Sequence, residues 1–211
     1  MPRDSRRQSP LLLWVALPLA RVFLGLLMVL LGPWRSFGKR KVPRSGGLLV
    51  LSNHLADVDP ILVQLTCPRP LYFMAKSELF SMPVVGAILR WYRAFPVNRG
   101  EADRAAIKHA VELMKDGYVV CVFPEGELAE SGTMQELKPG VALMVRMAEV
   151  PVVCVAVRNT NRVMPYGKVL PRPAWAWVTA TWGEPRTFEK HASTEDIMGW
   201  AEAELKRLGA P

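Results

Sequence analysis

Cysteine and histidine are both scarce in this chain of 211 residues, three of each. Cys67, Cys121 and Cys154 are odd in number and far apart, and Cys121 and Cys154 sit inside valine-rich runs. They read as buried free thiols of a reducing compartment, not as a disulfide framework. With no Cys-x-x-Cys pair and so few histidines, spacing assembles no metal site. No serine lies in a G-x-S-x-G elbow and no cysteine stands at the end of a predicted strand, so any nucleophile must come from the substrate. Repeats and low-complexity segments are missing too. Acidic residues are nearly absent from the first 44 positions, which hold nine basic groups and one acid, Asp4. The remaining residues carry 18 charges of each sign, so the whole net charge of +8 belongs to the amino-terminal segment. A nucleic-acid binder would put its excess charge on the folded body. Here it flanks an apolar run, which indicates an anionic membrane surface as partner and no nucleic acid.

What is there begins with that run. From Leu11 to Leu31 the only charge is Arg21, with Pro18 and Gly25 inside and Gly32-Pro33 closing it. A helix of this length reaches roughly 30 Å, enough to cross a bilayer core. Arg21 near its middle would cost roughly 2.5 to 3.5 kcal/mol or more to insert, and Pro18 removes a hydrogen bond. A single span and a half-inserted interfacial segment therefore both stand. The run exceeds a signal-peptide core and is followed by basic residues, not by a small-residue cleavage site. Its heavier basic flank, Arg35 to Arg44, places the rest of the chain on the cytoplasmic side of the cell membrane.

Beyond Gly46-Gly47, short continuous apolar runs alternate with helical spacing. Strands are expected at Leu48 to Leu51, Leu71 to Ala75, Ala94 to Val97, Tyr118 to Phe123, Pro151 to Val157 and Trp175 to Trp182. Helices are expected at Asp59 to Thr66, Pro83 to Tyr92, Glu101 to Asp116, Pro139 to Ala148 and Thr194 to Leu208, the last with Thr194 as N-cap. This alternation predicts an α/β fold: a single layered domain with a mostly parallel central sheet flanked by helices, plus an amino-terminal hydrophobic membrane segment. The division is 1–44 for the basic-flanked anchor and 45–211 for the folded domain.

Sites in such sheets gather beyond the carboxyl ends of the strands. Two stretches stand there, Ser52-Asn53-His54-Leu55-Ala56-Asp57-Val58-Asp59-Pro60 after the first strand and Phe123-Pro124-Glu125-Gly126 after the fourth. Asp59 before Pro60 fits a helix N-cap, and Asn53 fits a turn. The same residues also fit acid–base chemistry: a carboxylate on one ring nitrogen of His54 would orient it, leaving the other to take a proton from an alcohol. Glu125 at a strand end can hold hydroxyls, and Gly126 lets backbone approach a ligand.

In this order the two stretches resemble the 1-acylglycerol-3-phosphate O-acyltransferase family of the glycerolipid acyltransferase group. Asn53, His54 and Asp59 match its N-H-x4-D motif, and Phe123 to Gly126 match F-P-E-G. Phe95, Val97 and Arg99 match the motif between them, and Val150-Pro151-Val152 the fourth. Ala75, Lys76, Glu78, Leu79 and Phe80 match a further block. The resemblance covers half of the chain. It implies an α/β fold at a membrane surface, with His54 as general base and Asp59 as its partner. Arg99, Glu125, Gly126, Lys76 and Asn53 would form the substrate-binding set, Arg99 on the acceptor phosphate. The implied reaction moves an acyl chain from an acyl thioester, acyl-CoA or acyl carrier protein, to the hydroxyl of lysophosphatidate, giving phosphatidate. It needs no metal and no organic cofactor, and backbone amides or Lys76 would hold the oxyanion.

The sequence departs from the family at Ala56, where serine or threonine is common, at Arg93, where glycine is common, and at Cys154, where proline is frequent. Glu127 and Leu128 follow F-P-E-G where threonine or serine and then a basic residue are usual. A carboxylate at 127 disfavours a phosphomonoester and favours a head such as that of lysophosphatidylethanolamine. A non-catalytic membrane lipid-binding module and a thioesterase or lipase are the rival readings.

Overall fold

The central strands consist of side chains that cannot tolerate water on either face. Leu48–Ser52 (β2), Val119–Val122 (β5) and Val152–Arg158 (β6) are buried throughout except at Arg158. With Trp34–Phe37 (β1), Leu71–Lys76 (β3), Ala94–Val97 (β4) and Val178–Trp182 (β7) they form one sheet in the order β1-β7-β6-β2-β5-β3-β4. The pairing is parallel everywhere except between β6 and β7. The computed structural model describes residues 19, 22, 25–26, 29–98, 103–128, 130–168 and 170–211. Most of the apolar run, Arg21 included, lies outside the described residues. No helix among the described residues is long and apolar enough to cross a membrane.

Helices cover both faces of the sheet. Asp59–Thr66 (α1) and Pro83–Trp91 (α2) lie on one, where Leu48, Val50, Leu62, Val63 and Trp182 share a core and Leu89 of α2 packs against it. Arg104–Lys115 (α3), Gly140–Ala148 (α4) and Thr194–Leu208 (α6) lie on the other, where Leu49 and Leu51 meet Ile107, Met114, Val141, Val145, Ile197 and Leu205. Thr160–Val163 (α5) is a single turn after β6. The alternation of Leu48 and Val50 with Leu49 and Leu51 between the two cores is the period of two that a doubly covered strand requires. All three cysteines are free and buried, and burial pushes the thiols of Cys121 and Cys154 up, out of the reactive range.

The expected α/β architecture is present, with local differences. Strand β1 falls within the segment assigned to the anchor. Its Trp-Arg-Ser-Phe composition alternates between half-buried and exposed at the sheet edge, and gives no apolar signal. Strand β7 begins at Val178 and not at Trp175, because Pro171 and Pro173 break the approach and Trp175 and Trp177 turn outward. Ser193, and not Thr194, caps α6 by accepting from the Asp196 N–H at 3.0 Å.

Helix α4 ends on Glu149 in the left-handed conformation, φ 54°, a position glycine normally takes. Its carboxylate meets Lys190 at 3.3 Å with both side chains mostly exposed, an ion pair worth little. Glu149→Gly is therefore expected to stabilise the fold by about 0.5 kcal/mol, raising the midpoint of a calorimetric melt by roughly 1 to 2 °C.

Candidate active site

The parallel register aligns the carboxyl ends of β2, β5, β3 and β4 on one edge of the sheet. His54 follows β2, the loop from Phe123 to Gly126 follows β5, Lys76 ends β3, and β4 stops two residues before Arg99. Residues roughly 70 apart in sequence are thus neighbours because of strand order alone.

Asp59 opens α1 but does not cap it. Its Oδ2 reaches back to accept from His54 Nδ1 at 2.9 Å, from the Leu55 N–H at 2.6 Å and from the Ala56 N–H at 2.8 Å. The H-x4-D spacing folds the loop into a tight turn around one carboxylate oxygen, and Pro60 at the second helical position sacrifices no hydrogen bond. Asp59 is fully buried and His54 nearly so. With Nδ1–H donated to Asp59, Nε2 is the nitrogen that carries the lone pair. The His54 ring stacks on Phe123, centroids 4.1 Å apart. Phe123 belongs to F-P-E-G, but no sequence signal assigns it this contact.

Glu125, expected to hold substrate hydroxyls, is fully buried and faces backbone. Oε1 accepts from the His54 N–H at 2.7 Å and Oε2 from the Gln135 N–H at 2.8 Å. The residue clamps the loop after β2 to the loop after β5. Desolvation raises its carboxyl above the ordinary range, opposed by the two backbone hydrogen bonds and the nearby His54. Gly126 adopts φ 80°, closing the turn in which its N–H donates to the Phe123 carbonyl at 3.0 Å. A Cβ there would make only ordinary contact with Lys138, so backbone conformation, not space, calls for glycine.

Asn53, also placed in the substrate-binding set, is fully buried with its amide turned to β6. Nδ2 donates to the Val157 carbonyl at 3.0 Å, and the Val157 N–H donates to Oδ1 at 2.8 Å. The side chain imitates one more rung of the β2–β6 ladder, which needs a donor and an acceptor in one planar group. Lys76 is half-exposed, with its ammonium 3.3 Å from Glu78. Arg99 lies outside the described residues. Both ends of its loop are tied to Asp103, whose carboxylate accepts from the Asn98 N–H at 2.9 Å and caps α3 through the Ala106 N–H at 2.9 Å. Those backbone donors hold the Asp103 carboxyl below its usual value. Glu127 is exposed immediately after the Gly126 turn. Arg93 adopts φ 62° with its guanidinium over the Tyr72 ring, which explains why glycine suits this position.

The sequence profile of the Acyltransferase family matches residues 35–158, a span holding His54, Asp59, Lys76, Arg99, Glu125 and Gly126. A 1-acyl-sn-glycerol-3-phosphate acyltransferase of Bacillus subtilis is 30% identical over 139 residues, 65% of this chain and 69% of that one. Of four further proteins of that description the chain spans half or less. The lysophospholipid acyltransferase LPCAT4 of Xenopus tropicalis is 32% identical over 152 residues, 68% of this chain and 26% of that one. The crystal structure of the 1-acyl-sn-glycerophosphate (LPA) acyltransferase PlsC from Thermotoga maritima superposes with a TM-score of 0.76 at 23% identity, covering 90% of this chain and 77% of that one. At that identity the likeness is one of fold.

Proposed function

This chain belongs to the 1-acylglycerol-3-phosphate acyltransferase family, and from that premise we propose that it moves an acyl chain from an acyl thioester to the hydroxyl of lysophosphatidate at the cytosolic membrane surface. The observation that carries this reading is the 2.9 Å contact of His54 Nδ1 with a fully buried Asp59 at the open edge of the sheet. His54 Nε2 takes the proton of the acceptor hydroxyl, and the alkoxide attacks the thioester carbonyl carbon. The tetrahedral intermediate collapses with cleavage of the C–S bond, and the leaving thiolate takes the proton back from the imidazolium. The amides of residues 54 to 56 are already committed to Glu125 and Asp59, so other backbone amides of this edge or Lys76 would hold the oxyanion. Glu125 and Asn53 act by holding the His54 loop, and Arg99 supplies positive charge for the acceptor phosphate. Acyl-CoA and acyl carrier protein both fit the donor role.

Membrane association is proposed through the apolar run, with the division at 1–44 and 45–211 retained for function. Its support is the charge asymmetry together with exposed Leu19, Val22, Leu26, Val29 and Leu30. Glu127 favours a second acceptor, since an exposed carboxylate beside the substrate loop offsets part of the gain a phosphomonoester draws from Arg99. Purified protein with labelled acyl thioester and a panel of lysolipids tests both. Transfer to lysophosphatidate is expected, and thioester loss without any acceptor would replace the reading with a thioesterase. Glu127→Thr is expected to raise the ratio of lysophosphatidate to lysophosphatidylethanolamine turnover by about three- to tenfold. An unchanged ratio in competition assays would show that Glu127 points away from the headgroup.

A further inference from the structure

The segment between α5 and β7 carries aromatic and basic residues without a counter-charge. From residue 159 to 177 the chain holds Arg162, Lys168 and Arg172 and no acid. Four of its large side chains face outward: Trp175 is 96% exposed, Leu170 80%, Tyr166 53% and Trp177 48%. One exposed apolar residue is ordinary on a protein surface, whereas four large ones within a dozen positions form a patch that asks for an occupant.

The backbone ties this segment to the end of the apolar run. The Ala174 N–H donates to the Leu31 carbonyl at 2.6 Å and the Val178 N–H to the Pro33 carbonyl at 2.9 Å. Gly32 makes the approach possible, since a Cβ on it would stand 2.7 Å from the Ala174 carbonyl oxygen. The Arg35 guanidinium lies 3.7 Å from the centre of the Trp177 ring. Register places the patch relative to the site: β1 pairs Trp34 with Val178, and β7 runs antiparallel to β6, pairing Thr179 with Arg158. Because β6 and β2 are parallel, the start of β7 lies on the edge where β2 delivers His54.

We infer that the stretch from Tyr166 to Trp177 is a second lipid-contacting element, which seats the His54 edge of the sheet on an anionic bilayer. The inference rests on the membrane association proposed above. The occupant is a bilayer because the patch continues the apolar run, carries positive charge only, and consists of indole and phenol rings, which settle at the boundary between headgroups and acyl chains. The apolar run supplies attachment, and the Trp-bearing segment sets which edge faces the lipid.

The test uses the full chain and vesicles of phosphatidylcholine with or without phosphatidylglycerol. Trp175→Ser combined with Trp177→Ser should lower the bound fraction on anionic vesicles about tenfold. Transfer to a short-chain, monomeric lysolipid should stay within about twofold of wild type. A dye on the thiol of Trp175→Cys should shift to the blue with vesicles, whereas one on Lys190→Cys, beside Glu149 at the opposite edge, should not. Equal flotation of double variant and wild type, or a shift that appears with rising protein concentration and no lipid, would overturn the inference. Wild-type protein that does not float at all would overturn the membrane association itself.

Discussion

Replacing His54 with alanine is expected to lower acyl transfer by about a thousandfold, within the range a positioned general base contributes, and to leave the fold standing. The fold survives because Asp59, though fully buried, keeps the Leu55 and Ala56 N–H groups as donors after the imidazole is gone. Asp59→Asn should cost roughly a hundredfold, since the amide oxygen must stay with the Leu55 and Ala56 N–H groups and the neutral side chain no longer stabilises the imidazolium that forms when Nε2 takes a proton. Asp57, exposed in the same loop, is the control, and its change to asparagine should leave turnover within about twofold. Steady-state rates with labelled acyl thioester, beside thermal melts of each purified variant, check the series. A His54→Ala protein with near wild-type turnover and an unchanged melt would remove His54 as the base.

Two truncations separate the anchor from the sheet. Deleting residues 1–31 should give a folded protein whose partition onto anionic vesicles falls roughly a hundredfold or more, with weak residual binding through Trp175 and Trp177. Deleting residues 1–44 also removes strand β1 and Val42, which is 1% exposed in the core against α1. That deletion uncovers the edge of β7 and leaves a cavity, a loss of roughly 3 to 5 kcal/mol, or about 10 °C in the melting midpoint. The shorter protein should aggregate through the freed strand edge. Flotation at low salt and differential scanning calorimetry distinguish the outcomes. If the 1–31 deletion floats like the full chain, the apolar run is not the anchor.

Much of the architecture is legible before any coordinates. Runs such as Leu48 to Leu51 and Val152 to Val157 are too apolar for anything but a strand covered on both faces, and α3 and α6 declare themselves by spacing and by Gly117 and Gly209 beyond their ends. Strand β1 was illegible because an edge strand buries little, so its sequence need not be apolar. Trp175 to Trp177 misled for the opposite reason: alternating indole and alanine imitates a strand, yet the rings point outward before pairing starts at Val178.

By itself the sequence determined the alternation of strand and helix, the confinement of excess charge to the amino-terminal segment, and the local turn that sets Asp59 against His54. These depend on residues a few positions apart, where periodicity and spacing leave little freedom. Tertiary structure alone decided that Glu125 clamps the backbone of His54 and Gln135, that Asn53 pairs with Val157, and that Phe123 stacks on the imidazole. It also decided that the Trp-bearing segment shares an edge with the site. A buried carboxylate or amide must find its partner wherever the strand order brings one, and strand order is set by the packing of the whole sheet, not by any local stretch of chain.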